Sequence, residues 1–191
     1  MRFIKSVAVF FGASAAVAAP LDHATQKGQL ERLIGASRPL AETMLKSSGE
    51  FFPYGAVMNA EEKITSAIGS PGGEHPKSLD VISLLKEAYR KEAAAGKIIA
   101  CALVYDVRVV PLGATEKRDA VAIDLNHRDG MSITMYYPYQ IDPEKNVVFG
   151  VPFATKGPGD IFPKQTRMAN QSSEPTPASG TSPAGQEPRL P

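Results

Sequence analysis

The chain has 191 residues, with 21 Lys+Arg against 20 Asp+Glu, a formal charge of +1 and a pI near 7.8. That balance gives no basic field for nucleic acid or an anionic membrane, and 43% hydrophobic with 21% charged residues excludes a wholly disordered chain. One cysteine excludes an internal disulfide framework and a Cys-rich zinc module, and the lack of tryptophan argues against a sugar cleft built on indole platforms.

Arg2 and Lys5 form a positive n-region, Val7 to Val17 an uncharged apolar run, and Ala16-Val17-Ala18 a small-x-small cleavage site. These features predict a signal peptide over residues 1–18 and an exported mature protein, periplasmic or secreted. The run is shorter than the ~20 residues a bilayer span needs, and charges interrupt every later apolar run, so no stable membrane span is expected after cleavage. Cleavage removes two bases and no acids, which leaves nineteen bases against twenty acids and a charge of −1.

A single α+β domain is expected over residues 22–156. Leu30, Leu33 and Ile34, then Leu40, Met44 and Leu45, fall at helical spacing, with Pro39 forcing a break or a fresh start. Glu50 to Asn59 reads as a strand that Pro53 assigns to an edge or a bulge, and Lys63 to Ser70 returns as its hairpin partner. After a breaker-rich loop over residues 70–76, Ser78 or His75 caps a second helix with Leu79, Ile82, Leu85 and Tyr89 on one face and Gly96 at its end. Ile98 to Val110, Ala120 to His127 and Met131 to Tyr137 are β-rich, and Asp129-Gly130 marks a hairpin between the last two. Asn146 to Phe153 adds a short strand that Pro152 confines to an edge. Cys101, in the run Ile98 to Val104, reads as a small buried hydrophobe. Residues 157–191 hold seven of the sixteen prolines and few aliphatic residues, a composition that predicts a disordered tail. It contains one sequon, Asn170-Gln171-Ser172.

The expected architecture is an antiparallel sheet of about five strands in the order α-β-β-α-β-β-β, with the helices on one face and the other face wet. Alternation sets Val121, Ile123 and Leu125 under the helices. It gathers Asp106, Arg108, Asp124, Asn126, Ser132, Thr134 and Tyr136 on the opposite, open face.

This element order is similar to that of roadblock-like and profilin-like domains. Residues 50–155 also resemble a family of small bacterial α+β proteins without an established activity. The resemblance lies in Gly49-Glu50-Phe51-Phe52-Pro53-Tyr54-Gly55, in the stretch Asp119 to His127, and in Tyr137-Pro138-Tyr139. It implies a fold and no catalytic assignment.

Catalytic signatures are missing: the chain has no nucleophile elbow, P-loop, H-E-x-x-H or dinucleotide glycine pattern. His23, His75 and His127 lie in separate settings and read as solvated loop residues, so no metal site or cofactor is expected. The calcium-like run Asp124 to Gly130 fails, because Arg128 and Met135 stand where oxygen ligands belong. What remains is an interaction face of Asp106, Arg108, Asp124, Asn126, Thr134 and Tyr136. The leading expectation is a non-catalytic binding domain whose partner is another protein or a second copy. The alternatives are a small hydrolase using Asp106 or Asp124 with Tyr136, and a small-molecule binder with a pocket between sheet and helices.

Overall fold

A computed structural model describes residues 22–68, 77–111 and 113–163. The predicted signal peptide, His75 and the tail beyond Pro163 lie outside the described residues.

Helix α1 (His23–Ser48) starts at Asp22, whose side chain accepts from the Thr25 N–H over 2.7 Å. It ends at Gly49 with φ 76°, a left-handed conformation that glycine adopts freely. Pro39 lies inside this helix and does not break it, contrary to expectation. A proline in a helix interior costs ~3 kcal/mol. Leu33 and Ala41 at 0% exposure and Leu45 at 1% are buried on either side of it, and each of the two leucines removed from water returns roughly 1.5–3 kcal/mol. Packing outweighs the local penalty.

Strands β1 (Tyr54–Met58) and β2 (Ile64–Ile68) form the predicted hairpin, closed by a turn with Glu62 at φ 61°. Pro53 stands just before β1, where its missing N–H costs no ladder bond, so β1 is an interior strand and not the predicted edge. Helix α2 (Ser78–Ala94) buries Val81, Leu85 and Tyr89 at i, i+4 and i+8, while Leu79 points outward at 75% exposure. Ser78 is the first helical residue and Lys77 the N-cap, with no side-chain cap; Gly96 follows the helix at φ 68°.

The remaining strands are β3 (Ala100–Val109), β4 (Arg118–His127), β5 (Ser132–Ile141), β6 (Val147–Phe149) and β7 (Phe153–Lys156). The sheet is antiparallel with the order β2-β1-β3-β4-β5-β6, and β7 pairs with the other half of β5. The one predicted strand over Asn146 to Phe153 is thus two, separated around Pro152.

The two helices cover opposite faces, which corrects the one-sided expectation. Tyr54, Ala56, Met58, Ala102 and Val104 pack with Leu30 and Leu33 of α1, whereas Val57, Cys101 and Leu103 pack with Val81, Leu85 and Tyr89 of α2. The near-continuous apolar run through Val104 has this cause: a strand buried on both faces loses its alternation. Cys101 is buried as expected, at 1% exposure, and burial pushes its thiol well above the ordinary value.

Residues 157–163, which composition placed at the start of the tail, lie against the fold. The Gly157 N–H donates to Ser132 O over 3.0 Å, Asp160 pairs with Lys86 and Arg90 at 3.1 and 2.9 Å, and Ile161 joins the α2 cluster at 5% exposure. No helix among the described residues is long and apolar enough to cross a membrane.

Candidate functional site

The register divides the predicted interaction face in two. Asp106 stands opposite Val121 and Arg108 opposite Asp119, so both belong to the α1 side of the sheet. Asp124 stands opposite Thr134, Asn126 opposite Ser132 and Ala122 opposite Tyr136, all on the α2 side. The expected convergence of the six residues therefore does not occur: β3 has the opposite parity to the one assumed for it.

On the α2 side, Asp124 is buried at 6% exposure. Its Oδ1 accepts from the Thr134 hydroxyl at 2.5 Å and from the Tyr105 hydroxyl at 3.3 Å. Asn126 Oδ1 accepts from Ser132 Oγ at 3.2 Å, and Ser132 Oγ accepts from the Gly159 N–H at 3.0 Å. Tyr136 stacks on Phe153 with centroids 4.9 Å apart. The phenol that meets Asp124 is thus Tyr105, not Tyr136, and burial followed by the nearby Asp124 charge pushes that phenol well above its ordinary value. A phenol held protonated beside a carboxylate already bonded to Thr134 is a fixed structural donor.

On the α1 side, Tyr139 donates to Asp106 Oδ1 over 3.0 Å. Partial burial raises the Asp106 carboxyl, opposed by that hydrogen bond, and burial also raises the Tyr139 phenol. Arg108 pairs with Asp119 directly across the ladder at 3.0 Å, and both side chains are exposed. Such a pair contributes ~0.2–1 kcal/mol.

Beyond Tyr139 an open cleft of about 720 Å³ lies between the β3–β4 and β5–β6 turns. Its walls carry Arg108, Lys117 and Arg118 against Asp119 and Asp142. Both acids are engaged, Asp119 by Arg108 and Asp142 by the backbone and side-chain nitrogens of Asn146 at 2.8 and 3.0 Å. Those hydrogen bonds hold the Asp142 carboxyl below the usual carboxylate range. Lys117 and Arg118 have no acidic partner among the described residues. Sequence reasoning passed over both, since Glu116-Lys117-Arg118-Asp119 reads as an ordinary charged turn. A second concavity, an apolar groove of about 370 Å³ beside α1, is lined by Leu30, Ile34, Met131, Ile133 and Met135.

His127 is no solvated loop residue. It is 2% exposed, on the Val121 face at the end of β4, and its Nε2 lies 2.7 Å from Gln29 Oε1. Four-residue alternation from Val121 to His127 carries that signal. No group of three or more metal-binding side chains exists among the described residues. A scan of protein-family models, a search of curated proteins and a search of solved structures find no match to this chain, so its own chemistry is the ground for a functional reading.

Proposed function

We propose that this protein is an exported, non-catalytic binding module that receives an anionic group of its ligand in the cleft over Lys117 and Arg118. The observation that carries the reading is the charge pattern of that cleft: Arg108 pairs with Asp119, Asp142 is hydrogen-bonded to Asn146 but keeps its charge, and Lys117 and Arg118 have no ion-pair partner among the described residues, which leaves the lining one positive charge in excess. A carboxylate or phosphate there gains a charge-assisted contact from Lys117, with Arg118 at the border between this cleft and the concavity lined by Pro111, Pro138 and Phe153, and the Tyr139 ring and the Ile141 side chain supply apolar floor beside Lys117. The carboxylates that a hydrolase reading needs are both held by hydroxyl groups of the fold, which favours binding over acid–base work. Export rests on the n-region, apolar run and cleavage site of residues 1–18.

The test is a titration of the ¹⁵N-labelled protein with a hexaglutamate peptide, succinate and inorganic phosphate. Amide shifts centred on Lys117, Arg118 and Tyr139, lost in the double variant Lys117→Glu, Arg118→Glu, support the proposal. Shifts spread evenly over the surface, or unchanged by that variant, overturn it.

A further inference from the structure

We infer that the free edge of β2 is a self-pairing interface, and that two copies of the chain join antiparallel through it into one continuous sheet. β2 is the outer strand on one side of the sheet, paired only with β1 among the described residues. Its sequence, Ile64-Thr65-Ser66-Ala67-Ile68, holds no charge, no proline and no glycine. Exposed edges ordinarily carry a lysine, a proline or a bulge that blocks pairing with another chain. The opposite edge has such features in the shortness of β6, Pro152 and Lys156. β2 has none.

The backbone geometry selects the partner. The Asn59 N–H donates to Lys63 O over 3.1 Å and so marks Asn59–Lys63 as a hydrogen-bonded pair. Antiparallel ladders alternate, so Thr65 and Ala67 bond to β1, and Ile64, Ser66 and Ile68 turn both N–H and C=O outward. Two β2 strands placed about a two-fold axis at Ser66 set Ser66 against Ser66 and Ile64 against Ile68, each as a hydrogen-bonded pair. Every outward group within the strand then has a partner. A register displaced by one residue would face outward groups against groups already bonded to β1.

The side chains agree with the same register. Ile64 packs against the α1 cluster, and Ile68, on the same face beside Tyr54, is 79% exposed. Setting Ile68 against the partner's Ile64 covers that isoleucine and carries the apolar row Ile123, Val104, Tyr54, Ile68 across into the second copy. A near-palindromic strand with isoleucine at both ends and serine at the centre fits an isologous contact, in which one patch must complement itself.

Ser66 provides the test, because its side chain is exposed and its N–H is outside the β1 ladder. Sedimentation velocity of the full chain over a concentration series, with amide exchange at each concentration, is compared with Ser66→Lys and Ser66→Pro. The expected result is a monomer–dimer equilibrium in which the Ile64, Ser66 and Ile68 amides gain protection as concentration rises. Both variants should raise the dimer dissociation constant by about tenfold or more, with far-UV circular dichroism unchanged. A chain monomeric at every concentration overturns the inference, whether or not its β2 amides are protected, since concentration-independent protection means the chain's own residues cover the edge. A dimer that both variants leave intact overturns it as well.

Discussion

His127 and Gln29, 98 residues apart in the chain, stand 2.7 Å apart and join the end of β4 to the first half of α1. The Asp129 N–H donates to His127 Nδ1 over 3.1 Å, so Nδ1 carries the lone pair and Nε2 the proton that Gln29 Oε1 accepts. Gln29 Nε2 in turn donates to Glu62 Oε1 at 2.8 Å, and Arg32 pairs with the same carboxylate. One line of hydrogen bonds thus ties helix, central strand and first hairpin through a neutral imidazole.

That arrangement predicts a pH dependence. Burial holds the His127 imidazole below its ordinary value of 6.5, opposed by the nearby Asp129 charge. The unfolded chain therefore binds the proton more readily, and stability falls as pH drops from about 6.5 toward the folded-state value. Above pH 6.5 the imidazole is neutral in both states and contributes nothing to the slope. Asp22 and Glu62, lowered by their hydrogen bonds from 3.8 and 4.5, lose their contributions only at more acid pH, so the two windows separate. Thermal melts of the protein and of His127→Gln from pH 8 to pH 5 should diverge below pH 6.5, with the steeper fall in the protein itself. Parallel curves would disprove the assignment.

Asp124 and Thr134 make the next prediction. The carboxylate is buried, and its 2.5 Å bond from Thr134 is the shorter of the two it accepts. Thr134→Val keeps the shape and removes that donor, at a cost of about 1.5–3 kcal/mol in urea unfolding. Asp124→Asn, which retains an acceptor for Tyr105, should cost less. A Thr134→Val variant as stable as the parent would mean that Asp124 is solvated, and would return it to consideration as a reactive group.

Gly55 lies beneath the Tyr89 ring, and a Cβ there would run into both the Tyr89 hydroxyl and the Ala102 carbonyl. Tyr89 Oη lies 3.4 Å from that same carbonyl, so the absence of a side chain at residue 55 lets α2 approach the sheet. Gly55→Ala should destabilise by about 1–3 kcal/mol through overpacking. Adding Tyr89→Phe removes one of the two colliding atoms and should recover part of the loss, a coupling that a double-mutant cycle measures directly. Strict additivity would show that the carbonyl alone sets the limit.

These contacts separate what the chain reveals locally from what it does not. The helix end at Gly96, the hairpin at Asp129-Gly130 and the parity of β4 and β5 follow from turn chemistry and alternation, and all were legible. The face of Asp106 was not. β3 is apolar on both sides through Val104, so its own alternation starts only at Tyr105, and its phase against β4 depends on how the connection between Val109 and Arg118 closes. A one-residue error there moves every side chain to the other face, and it placed Asp106 with Asp124 when the sheet separates them. The same two-sided burial hid α2, whose contacts lie on Cys101 and Leu103 and not beside α1. Lys117 and Arg118 acquire meaning only once the β5–β6 turn is seen to face them.

The last prediction concerns where the folded unit ends. Ile161 is buried among α2 residues, while Asp160 is held at its Oδ2 by two cations of α2, Lys86 and Arg90, and its backbone carbonyl accepts from Arg90 Nε at 2.8 Å. The two contacts differ in kind. Truncating a buried isoleucine loses transfer energy and leaves a cavity, about 2–5 kcal/mol for Ile161→Ala. Neutralising a partly exposed ion pair, as in Asp160→Asn, should cost within about 1 kcal/mol and progressively less as salt is added. If residues 157–163 belong to the cooperative unit, Ile161→Ala lowers the midpoint of one urea transition followed by both far-UV circular dichroism and tyrosine fluorescence. A variant with an unchanged main transition would instead mean that the segment detaches before the sheet unfolds, which would leave the α2 side of Asp124 open to solvent in a fully folded core.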